Sequence, residues 1–291
     1  MTQKGDVELK GQARSVSGFH RIDLIASLAI GLIVTSIVIG DTQTARSKAG
    51  FVICREHMRG LSQAWKMYAD LSEGEFVGNL DGGAVQRLEN RNRTWLLGWM
   101  NAEDGSPSIA NTNVALIKMS PLFPYVGNQD PGIFRCPSDP STWIPEGGGR
   151  PRARVRSYSM NGYVGERGGP FSDGYQQYRS TDELKDLSPD KHLLFMGERS
   201  DSINDGWFAL DMKGFDSEEH RSREQFVDFP AFRHGGGANM SFIDGHVERW
   251  LWQDARTVPE FVLNEALITQ QASPFNDDIR RLQTASSRPV Q

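Results

Sequence analysis

The sequence predicts an α+β protein in which one long N-terminal helix, its first half embedded in a membrane, packs on an antiparallel β-sheet. Three observations predict it. Residues 24–40 form an apolar run without a formal charge, about as long as the shortest segments that cross a bilayer core, roughly 17 residues. Beyond it, Phe51, Cys54, Met58, Leu61, Trp65 and Tyr68 recur at spacings of three and four. That is one apolar stripe of an amphipathic helix, with Arg55, Glu56, Arg59, Gln63 and Lys66 off it. Near the C-terminal end, alternating runs flank Asp244-Gly245, the turn dipeptide of a β-hairpin.

The simplest account of the first two observations is one continuous helix from about residue 22 to about residue 71. Gly40, Gly50 and Gly60 each weaken it, by roughly 1 kcal/mol relative to Ala where water reaches it. Ser72-Glu73-Gly74-Glu75 ends it. Ahead of the apolar run, Lys4, Lys10, Arg14 and Arg21 outnumber Asp6 and Glu8. The positive-inside rule then keeps the N-terminus cytoplasmic and sends the body outward. Asp23 stands at the entrance of the run, where a charge is costly unless paired or held at the interface.

The stretch Gly18-Phe19-His20-Arg21-Ile22-Asp23 with its apolar run resembles the N-terminal signal of type IV prepilins and of the pseudopilins of type II secretion. The resemblance implies that a prepilin peptidase cuts a polar leader, residues 1–18, after Gly18. Phe19 becomes a methylated N-terminus, and Asp23 pairs with the terminal amine of a neighbouring subunit. The chain has Asp23 where that family usually has Glu, and His20 and Arg21 where it has small or apolar residues.

A second resemblance covers most of residues 18–252. Its parts are the segment from Cys54 to Phe76, Cys136-Pro137-Ser138-Asp139, the stretch from Tyr158 to Tyr163, and His234 followed after nine residues by Asp244-Gly245. Together these are similar to the prepilin-type processing-associated proteins with a His, nine residues, Asp-Gly motif. The two resemblances imply a pilin-like fold and a structural, non-enzymatic pseudopilin-like subunit of a type II secretion or type IV pilus-like system. They imply a single-pass protein of the inner membrane with an extracytoplasmic C-terminal domain. Its partners would be copies of itself or related pseudopilins. The domain reading is a leader over residues 1–18, the helix over 19–72, a globular α+β domain over 73–272 and a polar tail over 273–291.

Further elements follow in order. Trp95-Leu96-Leu97-Gly98-Trp99-Met100 reads as core or interface rather than as a sugar-stacking platform. Asn113 is placed to cap a short helix over residues 114–119. Pro137 bars a regular helix from starting at Cys136 and holds that side chain on a turn. Residues 146–156 are Gly-rich and basic, and Arg150, Arg152, Arg154 and Arg156 read as a solvated loop. Residues 155–160 alternate like a strand, and Asn161-Gly162 supplies the turn of a tight hairpin. Residues 181–187 predict a short helical turn and residues 192–197 an apolar strand. A two-residue loop at Asp244-Gly245 pairs Ile243 with His246 and Phe242 with Val247. Ala238, Met240, Phe242, Val247 and Leu251 then share a buried face, and Asn239, Ser241, His246 and Glu248 the other. Residues 259–271 predict a last helix, and residues 273–291 an unordered tail.

The net charge of −5 offers no basic face for nucleic acid. Cys54 and Cys136 are the only cysteines; they form a candidate disulfide in an oxidising compartment, or are two unrelated buried thiols. His234, Asp244 and His246 have the chemistry of a metal or acid–base site. The strand between His234 and the turn argues against their converging, so neither a catalytic nor a metal site is assigned. No H-E-x-x-H, G-x-S-x-G or phosphate loop is present. Residues 201–206 have the outline of a calcium loop, but Ile203 stands where an oxygen ligand belongs, so no cofactor is expected and calcium is left open. A second functional reading is a membrane-anchored module that binds a glycan or protein through Trp95, Trp99 and the Arg-rich loop. A third is an extracytoplasmic hydrolase centred on His234, Asp244 and His246.

Overall fold

A computed structural model describes residues 21–100, 108–145, 147–165, 171, 173–185, 188–263, 265–266 and 270–290. Gly18 and Phe19, and the side chain of Asp23, lie outside what it describes. The chain divides into two units, Met1–Arg46 and Ser47–Gln291. Three α-helices are described: α1 (Arg21–Leu71), α2 (Val114–Lys118) and α3 (Asp277–Ser286). The strands are β1 (Thr142–Trp143), β2 (Arg152–Ala153), β3 (Tyr158–Asn161), β4 (Leu193–Gly197), β5 (Trp207–Phe208), β6 (Gln225–Phe226), β7 (Gly237–Phe242), β8 (Val247–Leu251) and β9 (Gln271–Ala272).

The central sheet has the order β5-β3-β4-β7-β8; β1 with β2, and β6 with β9, form small separate pairs. The stripe read from the sequence is the buried side of α1. Cys54, Met58, Leu61 and Trp65 pack into one core with Trp95, Phe134, Tyr158 and Phe195. The other side of the sheet holds a second core, where Met196, Met240, Phe242 and Trp250 meet Phe226, Phe229 and the α3 residues Ile279 and Leu282. β4 and β7 are therefore buried on both faces, which is why residues 193–197 read as one apolar run.

The expected pilin-like class is overturned. Among the described residues no helix is long and apolar enough to cross a membrane. The transmembrane and pseudopilin reading goes with it, as does the single-pass inner-membrane location with an extracytoplasmic body. The sheet is also not uniformly antiparallel, because β5 joins β3 in parallel, Met160 beside Trp207 and Asn161 beside Phe208.

Four local expectations are corrected as well. Asn161-Gly162 does not turn a hairpin: β3 pairs antiparallel with β4, and Gly162 lies so close to Trp207 that a Cβ there would stand 2.7 Å from its ring. The hairpin at Asp244-Gly245 is one residue out of the expected register. Ser241 pairs with Val247, and the Phe242 amide donates to His246 O at 3.0 Å, leaving Ile243-Asp244-Gly245 as a three-residue loop. Only Gly245 has a positive φ, +96°, as in a type I turn closed by a left-handed residue. The slip turns Trp250 inward and leaves Leu251 exposed. Residues 259–263 are not helical. Residues 273–290 are not a frayed tail, because they carry α3, capped by Asn276 and buried through Ile279, Leu282 and Ala285. The Asn113 cap is present, its side chain accepting from the Ala115 amide at 3.0 Å.

Candidate functional site

Three distant parts of the chain bring Cys54, Cys136 and His234 together. Cys54 sits on the buried stripe of α1. Cys136 follows a 3-10 turn at Pro131–Phe134, whose Asp130 caps the Gly132 amide. The loop beyond crosses α1 at close range: a Cβ on Gly50 would stand 2.3 Å from Ser138 Oγ. His234 is delivered by a turn in which Gly235 and Gly236 have φ of +67° and +79°, values that cost other residues strain. The His234 amide then donates to Gly237 O at 3.1 Å.

The ligand atoms of the three residues lie within 4.8 Å of one another, and all three residues are buried. His234 Nε2 is 3.4 Å from Cys136 Sγ, and the imidazole stands edge-on to Phe51. The Tyr158 hydroxyl donates to Cys54 Sγ at 3.2 Å. Both cysteines are free thiols. A hydrogen bond from Cys54 draws the Cys136 thiol down to about 4 against the effect of burial, and His234 and Arg233 add to it. The same bond, then burial, pushes Cys54 up.

Around this cluster the charges are paired. Arg233 Nη2 is 3.2 Å from Asp139 Oδ2 in a buried ion pair and donates to Glu198 O at 2.7 Å. Asp139 also accepts from Ser157 Oγ at 2.6 Å and from the Ser141 amide at 3.0 Å. Burial works against the Asp139 carboxylate, but Arg233 and these donors hold it below the usual range. Behind it lie two guanidinium groups the sequence placed in solvent. Arg156 donates to the carbonyls of Leu97, Gly98 and Asn204. Arg154 reaches Asn111 and the carbonyls of Ser200 and Ile203. Burial lowers both to about 10, so they stay charged at neutral pH. Burial also pushes Glu198 up to about 8 and Asp205 up to about 6. Glu198 accepts from Ser159 and Ser202, and Asp205 from the amides of Gly82 and Trp207.

The His, nine residues, Asp-Gly spacing acquires a geometric meaning. His234 lies at one end of β7, against Phe51 and Cys136. Asp244 lies past the other end, where its carbonyl accepts from Lys66 Nζ at 3.1 Å. From Cys54 to Lys66, α1 advances about 18 Å at 1.5 Å per residue. The six residues of β7 span about 20 Å at 3.3 Å per residue. The motif thus runs along α1 and touches it near both ends.

The same geometry separates the residues of the hydrolase reading. His234 is buried with the cysteines, whereas Asp244 and His246 pair with each other at the exposed turn, 2.6 Å apart. Trp95 is fully buried and donates to Gly206 O at 2.9 Å, so it offers no face to a sugar. Trp99 is half-buried and lines a cavity of about 470 Å³ with Leu97, Ile109 and Leu116. Asp201 is taken up by Arg199 at 2.6 Å and Ile203 is buried, so residues 201–206 do not open as a calcium loop.

The sequence joined Cys54 to Cys136 only as a candidate disulfide and did not bring His234 to them. The signal available was that a Cys sits on the apolar stripe and another before Pro137, both needing partners of their own kind. The buried carboxylates Glu198 and Asp205 gave no local sign. No family model, no curated protein and no solved structure matches the chain.

Proposed function

We propose that this chain is a structural subunit, not a catalyst, that associates with copies of itself through the first part of α1. The observation that carries the proposal is the exposure of that segment. Ile25, Leu28, Ile30 and Leu32 are 61–68% exposed, and every residue from 25 to 30 is exposed, all round the helix. Helices that are apolar on every side are covered in the working state of a protein, and contiguous apolar surface of this kind marks an interaction site. One neighbour covers one side only. Several copies of the same segment, packed as a bundle, cover it all round without requiring any other chemistry. The three residues of the hydrolase reading do not meet, since His234 stays with the cysteines and Asp244 with His246.

Sedimentation velocity of the full chain tests this. Wild type is expected to form concentration-dependent oligomers. Leu28→Glu combined with Leu32→Glu is expected to sediment as a monomer with an unchanged unfolding transition of the body. A wild-type chain that remains monomeric at every concentration, or oligomers that survive both substitutions, would overturn the reading.

A further inference from the structure

We propose that Cys54, Cys136 and His234 form a metal site for one borderline-soft divalent cation, zinc being the ion the donor set fits. This goes beyond the assembly role and does not depend on it. Two sulfurs and an imidazole nitrogen are donors that zinc takes in protein sites, and carboxylate-preferring ions such as calcium and magnesium do not compete for them.

The spacing fits before any ion is added. Zn–S and Zn–N bonds of about 2.3 and 2.0–2.1 Å, at tetrahedral angles, set the ligand atoms about 3.5 Å apart for sulfur to nitrogen and about 3.8 Å for sulfur to sulfur. The observed Cys136 Sγ to His234 Nε2 separation is 3.4 Å, and the three ligand atoms all lie within 4.8 Å of one another. Three donors leave a fourth position, and the Tyr158 hydroxyl stands 3.2 Å from Cys54 Sγ.

The charges also balance. In the bound state both sulfurs are thiolates, and two thiolates neutralise the doubly charged ion. The nearest full charges, Arg233 and Asp139, already pair with each other. The loaded site itself then carries no net charge, which favours its burial. The surrounding groups hold the ligands in place: the Tyr158 hydroxyl acts on Cys54, and the turn at Gly235-Gly236 fixes His234. A cavity lies nearby in the chain. Ser138 and Arg233, neighbours in sequence of Cys136 and His234, line a cavity of about 230 Å³ with Pro140, Arg199 and Phe232.

Such an ion would fasten α1, the loop after Phe134 and the start of β7 at one point. Its role would be structural, because the three ligand residues are closed from solvent.

The test uses the full chain, purified under reducing conditions and freed of metal, and titrated with Co²⁺ and then Zn²⁺. Cobalt is expected to produce thiolate-to-metal charge-transfer absorption and tetrahedral ligand-field bands, saturating at one equivalent and bleached by zinc. Cys136→Ser is expected to lose most of the charge-transfer intensity. Tyr158→Phe keeps all three ligands and is expected to lower zinc affinity about tenfold or more. The wild-type titration needs no variant, so a substitution that prevents folding does not spoil the test. Absence of charge-transfer absorption in the wild-type chain would overturn the proposal. So would a non-reducing digest of the chain as isolated that shows Cys54 joined to Cys136 and no bound zinc.

Discussion

Gly237→Ala places one methyl group where the hairpin of β7 and β8 has no room. A Cβ at residue 237 would stand 2.0 Å from Trp250 O, 2.9 Å from the Trp250 carbonyl carbon and 3.0 Å from Leu251 Cα. Ordinary carbon contacts lie at about 3.5 Å or more, so the strands must part by about 1 Å or the rung between Gly237 and Leu251 must break. Overpacking of this kind costs about 1–3 kcal/mol, and the ladder hydrogen bonds at that rung about 1 kcal/mol each, for a total of about 3 kcal/mol. In a body of this size that is a fall in Tm of about 6–12 °C. The neighbours are the controls. Gly236 has φ +79° and nothing within 4 Å of a Cβ, so Gly236→Ala costs only backbone strain, about 1–2 kcal/mol. The effect should also reach the cysteines. Gly237 O accepts from the His234 amide, and His234 rests on Cys136, so Cys136 is expected to react faster with a thiol reagent in Gly237→Ala than in Gly236→Ala. Chemical denaturation and thiol-labelling rates check both statements. A Gly237→Ala protein within 1 kcal/mol of wild type, or one less damaged than Gly236→Ala, would refute the packing argument.

The assembly and metal proposals above carry their own outcomes, and two more expectations concern the body. Burial raises Glu198 to about 8, so between the ordinary carboxylate range and about pH 8 the folded state binds more protons than the unfolded state. Its contribution to stability is therefore complete below the unfolded pKa and is lost as pH rises toward and through 8. Glu198→Gln, neutral at every pH, is expected to flatten the pH dependence of the unfolding free energy between pH 6 and 8; identical slopes in the two proteins would count against the buried-acid account. Leu282 is fully buried where α3 meets the second core, so Leu282→Ala is expected to cost about 2–5 kcal/mol by urea denaturation, whereas a loss near zero would mean that α3 does not hold the sheet.

Much of what lies along α1 was legible without coordinates. The stripe of Cys54, Met58, Leu61 and Trp65 depends only on the helical period, which any chain segment carries within itself. The Asn113 cap, the apolar strand at residues 193–197 and the 3-10 turn at Thr181–Leu184 are equally local. The errors lie where two segments must agree. Asn161-Gly162 does open a turn, closed by the Val164 amide on Asn161 O at 3.0 Å, but that turn joins no hairpin, because β3 pairs with the distant β4 and Gly162 packs against Trp207. At Asp244-Gly245 the turn was correct and its length was not; one extra loop residue exchanges the inward and outward faces of β8. Residues 277–286 looked too polar to fold, but the apolar positions Ile279, Leu282 and Ala285 suffice once a second core is there to receive them.

The sequence by itself determined the helical stripe, the strand segments and the identity of the reactive side chains, because those follow from spacing and side-chain chemistry within a few residues. It could not determine that Cys54, Cys136 and His234 share one buried point, nor that Arg154 and Arg156 leave the surface loop to bind backbone carbonyls. Those pairings join residues far apart in the chain. They exist because the folded interior leaves each buried sulfur, nitrogen and charge no solvent to turn to, so each must find its partner in another segment.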